Sequence, residues 1–341
     1  MPAESKKRPE PPSEAAQRPP KRSRVDPLPG NPLFFYREPK DTIQISTWNV
    51  AGLESCNAEK WNFGFRLYVE AEDPHILAIT EVNEKDAEAV FESHPNFEFL
   101  RARYPYRYWS HRVAVVSKLE PLAPPVYGFP EGKKYDPEDA RARAITLEFK
   151  ECFLLATYVV NAGAEFKSLD KRKDWAADFE PYIRSLDAKK PMRAASRFSC
   201  RRDFNVIRTI TPDTTESNDL QWGAQVFGKY SGTSQFERDA HERLLGDQPW
   251  LENPRRPGPK FVDVWRLIKG EKWRQYTHSS KKVGGWRLDG FIVSERFLHN
   301  VRKCEIRQEV KRQFWPPKDS VGKGALSDHW PVWLSLEMEE L

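Results

Sequence analysis

The chain has 341 residues, a formal net charge of +5 and 39% hydrophobic residues, with 12 Trp and 20 Phe. That is enough for one large α/β or β-sandwich domain with a tail, or for two ordinary domains, and the mild basicity allows a polyanionic partner without demanding one. Cys56, Cys152, Cys200 and Cys304 lie too far apart for a zinc cluster or a disulfide framework and point to a reducing compartment, while no apolar run reaches membrane-span length or forms a signal-peptide core.

Residues 1–40 are rich in Pro, Glu, Ser and Lys/Arg, cannot bury enough apolar surface to fold alone, and read as a disordered basic tail. The clusters Lys6-Lys7-Arg8 and Lys21-Arg22-Ser23-Arg24 have bipartite nuclear-localisation spacing, so the expected localisation is the nucleus. From residue 41 onward one folded domain is expected to the end of the chain. "TIQISTWNV" alternates and is β-branched, hence a strand; "AEKWNFGFRLYVEAEDP" reads as a helix that stops before Pro74. "HILAITEV" is a buried strand and "EKDAEAVFESHP" a short helix. "FEFLRARY" and "VAVVSK" read as strands, as do "ARAITLEF" and "CFLLATYVV" around a turn at Lys150-Glu151. "SLDKRKDWAADFEPYIRSLDA" and "SQFERDAHERLLGD" are amphipathic helices, and "KFVDVWRLI", "RLDGFIVS" and "HWPVWLSLE" supply late strands. Many strands with few helices between them suggest two sheets packed face to face with helices outside.

Several of these strands end in a polar group. Asn49 closes the first, Glu81 follows the second, Tyr158 and Asn161 follow "LLAT". Asp203 and Asn205 stand two apart in "RDFNV", Asp289 lies in "GWRLDGF", and Asp328 and His329 lie in "LSDHWPV". Singly, each has a plain structural reading as a turn, a cap or a paired core carboxylate. Strand ends of one sheet layer converge, however, and a Glu, several Asp and an Asn form an oxygen donor set suited to Mg²⁺ or Mn²⁺. A His beside an Asp can meet a phosphate or hold a proton near neutral pH.

The motifs "WNVAGL", "TEV", "TYVVNAG", "DFNV", "GWRLDGF" and "SDHWPV", in this order, resemble the exonuclease III-type AP endonucleases of the endonuclease/exonuclease/phosphatase superfamily. The resemblance implies a four-layer α/β sandwich of two packed mixed sheets flanked by helices. It implies Mg²⁺-dependent (or Mn²⁺-dependent) hydrolysis of the phosphodiester 5′ to an abasic site in double-stranded DNA. Some 3′-exonuclease or 3′-phosphodiesterase activity goes with it, and the enzyme is expected to be a monomer with no membrane partner. Carried over to this chain, Asn49 and Glu81 hold the metal, Asp203 aligns or deprotonates the attacking water, and Asn205 hydrogen-bonds the scissile phosphate. Tyr158 supports the phosphate or leaving group, Asp289 orients His329, and Asp328 lies beside the metal region; Asp203, Asn205 and His329 are also candidate metal ligands. Two other readings stand beside this one. One is a phosphatase or phospholipase of the same superfamily; the other is a catalytically impaired DNA-binding relative.

The chain departs from the family pattern in four places. Arg202 precedes Asp203 where Gly is usual, after a stretch "MRAASRFSCRR" that is basic where a central strand should be apolar. "YRYWSHRVAVVSK" is short for the hairpin that approaches DNA. "QYTHSSKKVGGWRLD" is short for the loop that faces the abasic sugar, with Trp286 kept and Gly290 in place of an aromatic. Asn83 replaces a lysine. Two shortenings and one scrambled strand between intact motifs read as misplaced exon boundaries, with remodelled DNA-facing loops as the alternative. Lys281, Lys282, Lys311, Arg312, Lys318 and Lys323 flank the last motifs and read either as a phosphate track or as a solvated basic surface.

Overall fold

The computed structural model describes residues 31–36, 38–59, 63–189, 197–199, 230–245, 261–270, 273–280, 284–310 and 326–337. Strand β1 (Thr42–Asn49) leads through the short α1 (Leu53–Cys56) and α2 (Gly64–Glu72) into β2 (Ile76–Thr80), which pairs with β1 in parallel. Helices α3 (Ala87–Ser93) and α4 (Glu98–Arg103) precede the β3 (Tyr106–Trp109) and β4 (Val113–Ser117) hairpin. With β13 (Val301–Ile306) and β14 (Val332–Glu337) these strands form a six-stranded mixed sheet in the order β13-β14-β1-β2-β4-β3. A second, four-stranded sheet runs β5-β6-β7-β8, built from Val126–Tyr127, Ala144–Glu148, Phe153–Thr157 and Arg197–Ser199, with β7 and β8 parallel.

Period-two burial explains the packing. One face of the first sheet offers Ile43, Ile45, Ile76, Ala78, Val113 and Val115, and these share a core with Ile145, Leu147, Leu154 and Ala156 of the second. The opposite face of the first sheet, with Trp48, Leu77, Ile79 and Val116, packs against α2, α3 and α4 through Phe65, Tyr68, Phe91 and Phe99. Beyond the second sheet, Ala144 and Leu155 meet Trp175, Phe179 and Ile183 of α6 (Leu169–Lys189) and Leu244 of α7 (Gln235–Leu245). The chain is therefore mixed α/β, with apolar cores between the sheets and outside each of them. Helix α7 starts at a reciprocal cap: the Glu237 carboxylate accepts from Ser234 Oγ at 2.7 Å, and Ser234 Oγ accepts from Glu237 N at 3.2 Å.

Four local readings change. "FEFLRARY" is helical over Glu98–Arg103: Phe97, Leu100 and Tyr104 recur at helical spacing and are almost fully buried, and this outweighs the apparent alternation. "KFVDVWRLI" is strand only over β9 (Phe261–Asp263) and then becomes α8 (Val264–Lys269). Asp263 Oδ1 caps that helix by accepting from Arg266 N, and Gly270 at φ 81° ends it. "RLDGFIVS" is extended only over β12 (Ile292–Ser294), and in "AEKWNFGFRLYVEAEDP" the helix α2 begins at Gly64. An unforeseen helix, α5 (Pro137–Arg143), has Asp136 as its cap and Pro at its first turn. Packed structure also begins before the compositional break at residue 40. Leu33 and Phe35 alternate into the core against α2, while Phe34 and Tyr36 point outward. No helix among the described residues is long and apolar enough to cross a membrane.

Candidate active site

The parallel pairing of β1 and β2 places Asn49 opposite Thr80, so Asn49 and Glu81 leave the same end of adjacent strands. Val50 N donates to Thr80 O and Gly52 N to Glu81 O, which holds the two segments together as they turn away from the sheet. Ligand sites gather at such carboxyl ends of parallel strands. Backbone strain is concentrated here: Ala51, Glu81 and Asn83 all have φ between 50° and 59°, a conformation costly for non-glycine residues and common where function sets the geometry.

Asn49 is 1% exposed. Its Oδ1 accepts from Ala51 N at 2.9 Å, and its Nδ2 has no hydrogen-bond partner among the described residues. Left unpaired, a buried amide NH₂ costs roughly 1–3 kcal/mol. Glu81 Oε1 accepts from Tyr158 Oη at 2.6 Å, joining β2 to the end of β7. Tyr158 is fixed in turn by Arg143: its N–H donates to Arg143 O at 2.8 Å, and the guanidinium stands 5.0 Å from the ring centroid.

The C-terminal Ser-Asp-His segment is tied to the same strand end. Ser327 Oγ donates to Asn49 O at 2.7 Å and accepts from His329 N at 3.1 Å, and Trp48 Nε1 donates to His329 O. His329 Nδ1 lies 2.6 Å from Asp289 Oδ2, with both side chains buried. Asp289 is held by Thr277, whose Oγ1 accepts from both Leu288 N at 2.8 Å and Asp289 N at 2.9 Å. Hydrogen bonds thus join Tyr158 to Glu81 on one strand end, and Asn49 through Ser327 to His329 and Asp289 on the adjacent one. Asp328 lies beside His329 and is partly exposed. Asp203 and Asn205 fall outside the described residues, as do Arg202, Lys281, Lys282, Lys311, Arg312, Lys318 and Lys323.

Three further residues come to the site without a sequence signal strong enough to mark them. His278 sits opposite His329 in an antiparallel bridge, with ring centroids 4.5 Å apart, and its Nε2 is 3.3 Å from Asp328 Oδ2. Thr277, one residue earlier, anchors Asp289. Arg112 donates to Asn83 Oδ1 at 2.6 Å, while Asn83 N and Val82 N donate to the carbonyls of His111 and Arg112. Arg112 thus brings a cation next to position 83. The short hairpin that carries it is well closed, with Ser110 N donating to Val113 O at 2.8 Å and Arg112 N to Ala142 O at 3.0 Å. The shortened loop before Trp286 forms the hairpin of β10 (His278–Ser280) and β11 (Gly284–Trp286), in which a Cβ at Gly285 would come within 2.4 Å of the Tyr276 ring.

Behind the site, Arg287 pairs with Asp263 at 2.7 Å, both nearly buried. Burial works against the Asp263 carboxylate, but Arg287 and the Arg266 N–H outweigh it and hold the carboxyl below its usual range. The residue two before Asp289 is thereby locked to β9.

The described donors fit a hard divalent ion. The Glu81 carboxylate and Asn49 amide oxygen come from adjacent strand ends. An amide oxygen that accepts one N–H keeps a second lone pair.

Residues 46–192 match the Endonuclease/Exonuclease/phosphatase family. The chain is similar to the DNA repair nuclease APEX1 of Danio rerio, 29% identical over 313 residues that cover 86% of this chain and 82% of the relative. It is 26% identical to an exodeoxyribonuclease of Bacillus subtilis, covering 87% of this chain and 100% of that one. In three dimensions it resembles the AP endonuclease LMAP of Leishmania major with a TM-score of 0.63 at 20% identity, over 89% of this chain and 92% of that chain, a likeness of fold.

Proposed function

Because the chain belongs to the endonuclease/exonuclease/phosphatase family, among relatives that are phosphodiester-cleaving nucleases, we propose that it is a DNA-(apurinic or apyrimidinic site) endonuclease that hydrolyses the phosphodiester 5′ to an abasic site. The observation that carries this reading is the meeting, at two adjacent strand ends, of the Tyr158–Glu81 pair with Asn49 and the buried Asp289–His329 pair tied to it through Ser327. The two packed sheets and their outer helices support a four-layer α/β sandwich, and one catalytic domain over residues 41–341 accommodates every motif.

A phosphodiester is anionic and repels hydroxide, so the site must neutralise charge and fix an in-line water. Glu81 and Asn49 would hold Mg²⁺, which supplies charge neutralisation at the phosphoryl oxygens. The Tyr158 hydroxyl, donating to Glu81, orders that carboxylate and stands at the edge of the phosphate position. Asp289 fixes the imidazole of His329 so that Nε2 points away from the carboxylate, where an N–H can donate to a phosphate oxygen. Asp203 aligns or deprotonates the attacking water, and Asn205 donates to the phosphate in the transition state. Arg112 and Arg143 add positive charge at the rim, suited to the backbone of duplex DNA. The paired basic clusters of the tail support a nuclear location.

The test is nicking of a duplex oligonucleotide with one tetrahydrofuran abasic analogue, in Mg²⁺ and in EDTA. Mg²⁺-dependent cleavage on the 5′ side, lost by more than about 10²-fold in Asp203→Asn and in His329→Ala with DNA binding retained, is the expected result. Parent-like activity of Asp203→Asn sinks the mechanism. Digestion from 3′ ends without internal nicking assigns the exonuclease activity instead, and binding without cleavage assigns an impaired DNA-binding relative.

A further inference from the structure

We propose that Asp139 is a positioning residue: acting through Arg143, it holds the Tyr158 hydroxyl against Glu81 and so sets the orientation of that carboxylate. The proposal deepens the functional reading above and rests on its placement of Glu81 at the metal. Asp139 lies outside the sequence motifs and touches none of the groups that meet the phosphate.

Asp139 and Arg143 are one turn apart on α5, so their side chains share a face of the helix. Asp139 Oδ1 accepts from Arg143 Nε at 2.8 Å. With that contact made, the guanidinium stands 5.0 Å from the Tyr158 ring centroid and donates to Tyr158 O at 3.4 Å. Tyr158 Oη in turn donates to Glu81 Oε1 at 2.6 Å. An arginine side chain has many rotamers, and the face of one tyrosine ring holds a cation only weakly. The Asp139 carboxylate selects the rotamer that lies on Tyr158.

Asp139 is itself held from the other side. Tyr135 Oη donates to its second oxygen, Oδ2. Burial, and the Asp139 carboxylate beside it, push the Tyr135 hydroxyl above the usual tyrosine range, so it stays a donor. Tyr135 is buried, and its ring meets Trp175 of α6 edge-on with centroids 5.1 Å apart. The loop that delivers Tyr135 is tied to the same helix. There the Asp178 carboxylate accepts from Lys133 N at 3.0 Å and from Lys134 N and Tyr135 N at 2.8 Å. A Cβ at Gly132 would come within 2.9 Å of Asp178 Oδ2, so glycine lets the loop close on that carboxylate. Contacts thus run from α6 through Tyr135, Asp139, Arg143 and Tyr158 to Glu81. Folding alone gives Asp139 little weight, because a partly exposed i, i+4 ion pair contributes little to stability.

The experiment is Mn²⁺ binding to the full chain, followed by the electron paramagnetic resonance of the free ion. Tyr158→Phe should weaken binding about tenfold, the scale of a lost outer-shell partner. Asp139→Ala should weaken it about threefold, the scale of one cation–π contact, with the urea midpoint close to the parent's. Asp139→Glu should recover most of that loss. In an Arg143→Met or a Tyr158→Phe background, Asp139→Ala should change nothing further, the mark of a residue that acts through those two. On an abasic duplex the same variant should lower kcat and leave KM in place. Parent-like Mn²⁺ binding by Asp139→Ala overturns the proposal. So does a threefold loss that persists in either background, or a folded parent with no saturable Mn²⁺ binding. A parent that binds Mn²⁺ without nicking abasic DNA sinks the nuclease reading alone, and the Mn²⁺ comparison still decides the role of Asp139.

Discussion

Thr277→Val tests how the site is held together. Thr277 is fully buried, and its hydroxyl oxygen accepts from Leu288 N at 2.8 Å and Asp289 N at 2.9 Å. Valine has nearly the same shape, so the substitution opens no cavity and the packing contribution stays close to zero. What changes is that two buried N–H donors lose their acceptor. Each such loss costs roughly 1–3 kcal/mol, and with some relaxation of the 287–290 loop the expected destabilisation is about 2–4 kcal/mol. Urea unfolding at an unchanged m value reads it directly. The same change frees the backbone of Asp289, so kcat for the nicking reaction falls while KM moves little. Thr277→Ser keeps the oxygen and removes one methyl, costing about 0.8 kcal/mol by lost apolar burial, and should retain most of the activity. A destabilisation below about 0.5 kcal/mol for valine, or equal losses for serine and valine, refutes the assignment of the hydroxyl as the anchor.

Arg287→Met leaves the Asp263 carboxylate buried without its guanidinium partner and should cost about 3–5 kcal/mol, with Asp263→Asn in the same background recovering part of it; urea midpoints of the single and double variants check this. His75 is held neutral by burial, reinforced by Lys118, and its Nδ1 accepts from Gln44 N, so its pKa lies below the ordinary 6.5. The folded chain therefore binds fewer protons than the unfolded chain just below that value. The contribution of His75 is full above about 6.5 and is lost as pH falls through the interval down to the folded pKa. His75→Asn should flatten this part of the stability–pH curve, measured by unfolding at pH 7.5 and at successively lower pH. Arg112→Ala should weaken abasic-duplex binding and reduce the slope of log K against log salt by about one, with folding stability changed by less than about 0.5 kcal/mol because the hydrogen bond to Asn83 is exposed; a salt titration of DNA affinity settles it.

The sequence by itself determined most of the strands and the two long amphipathic helices, and it put forward the polar groups at the strand ends. Period-two alternation in "TIQISTWNV" and the runs "HILAIT" and "VAVVS" encode burial on both faces, and burial on both faces is what a sheet between two apolar layers requires. Asn49, Glu81, Tyr158, Asp289 and His329 stand out in the sequence because a polar group at the end of an apolar strand is an exception that needs a reason. Local patterning was weaker where helix and strand periods coincide over a few residues. In Glu98–Arg103 the buried spacing of Phe97, Leu100 and Tyr104 decided the outcome, and in Val264–Lys269 the Asp263 cap did.

Tertiary structure alone decided the supporting residues. Thr277 is one threonine among many until Leu288 and Asp289 fold back onto its oxygen. Arg112 becomes the partner of Asn83 only because the β3–β4 hairpin lies beside the end of β2, and His278 meets His329 only through a cross-strand bridge spanning 51 positions. Such pairings are set by sheet register, a property of two distant segments at once. No window of sequence contains both halves of the contact, so its energy leaves no local trace.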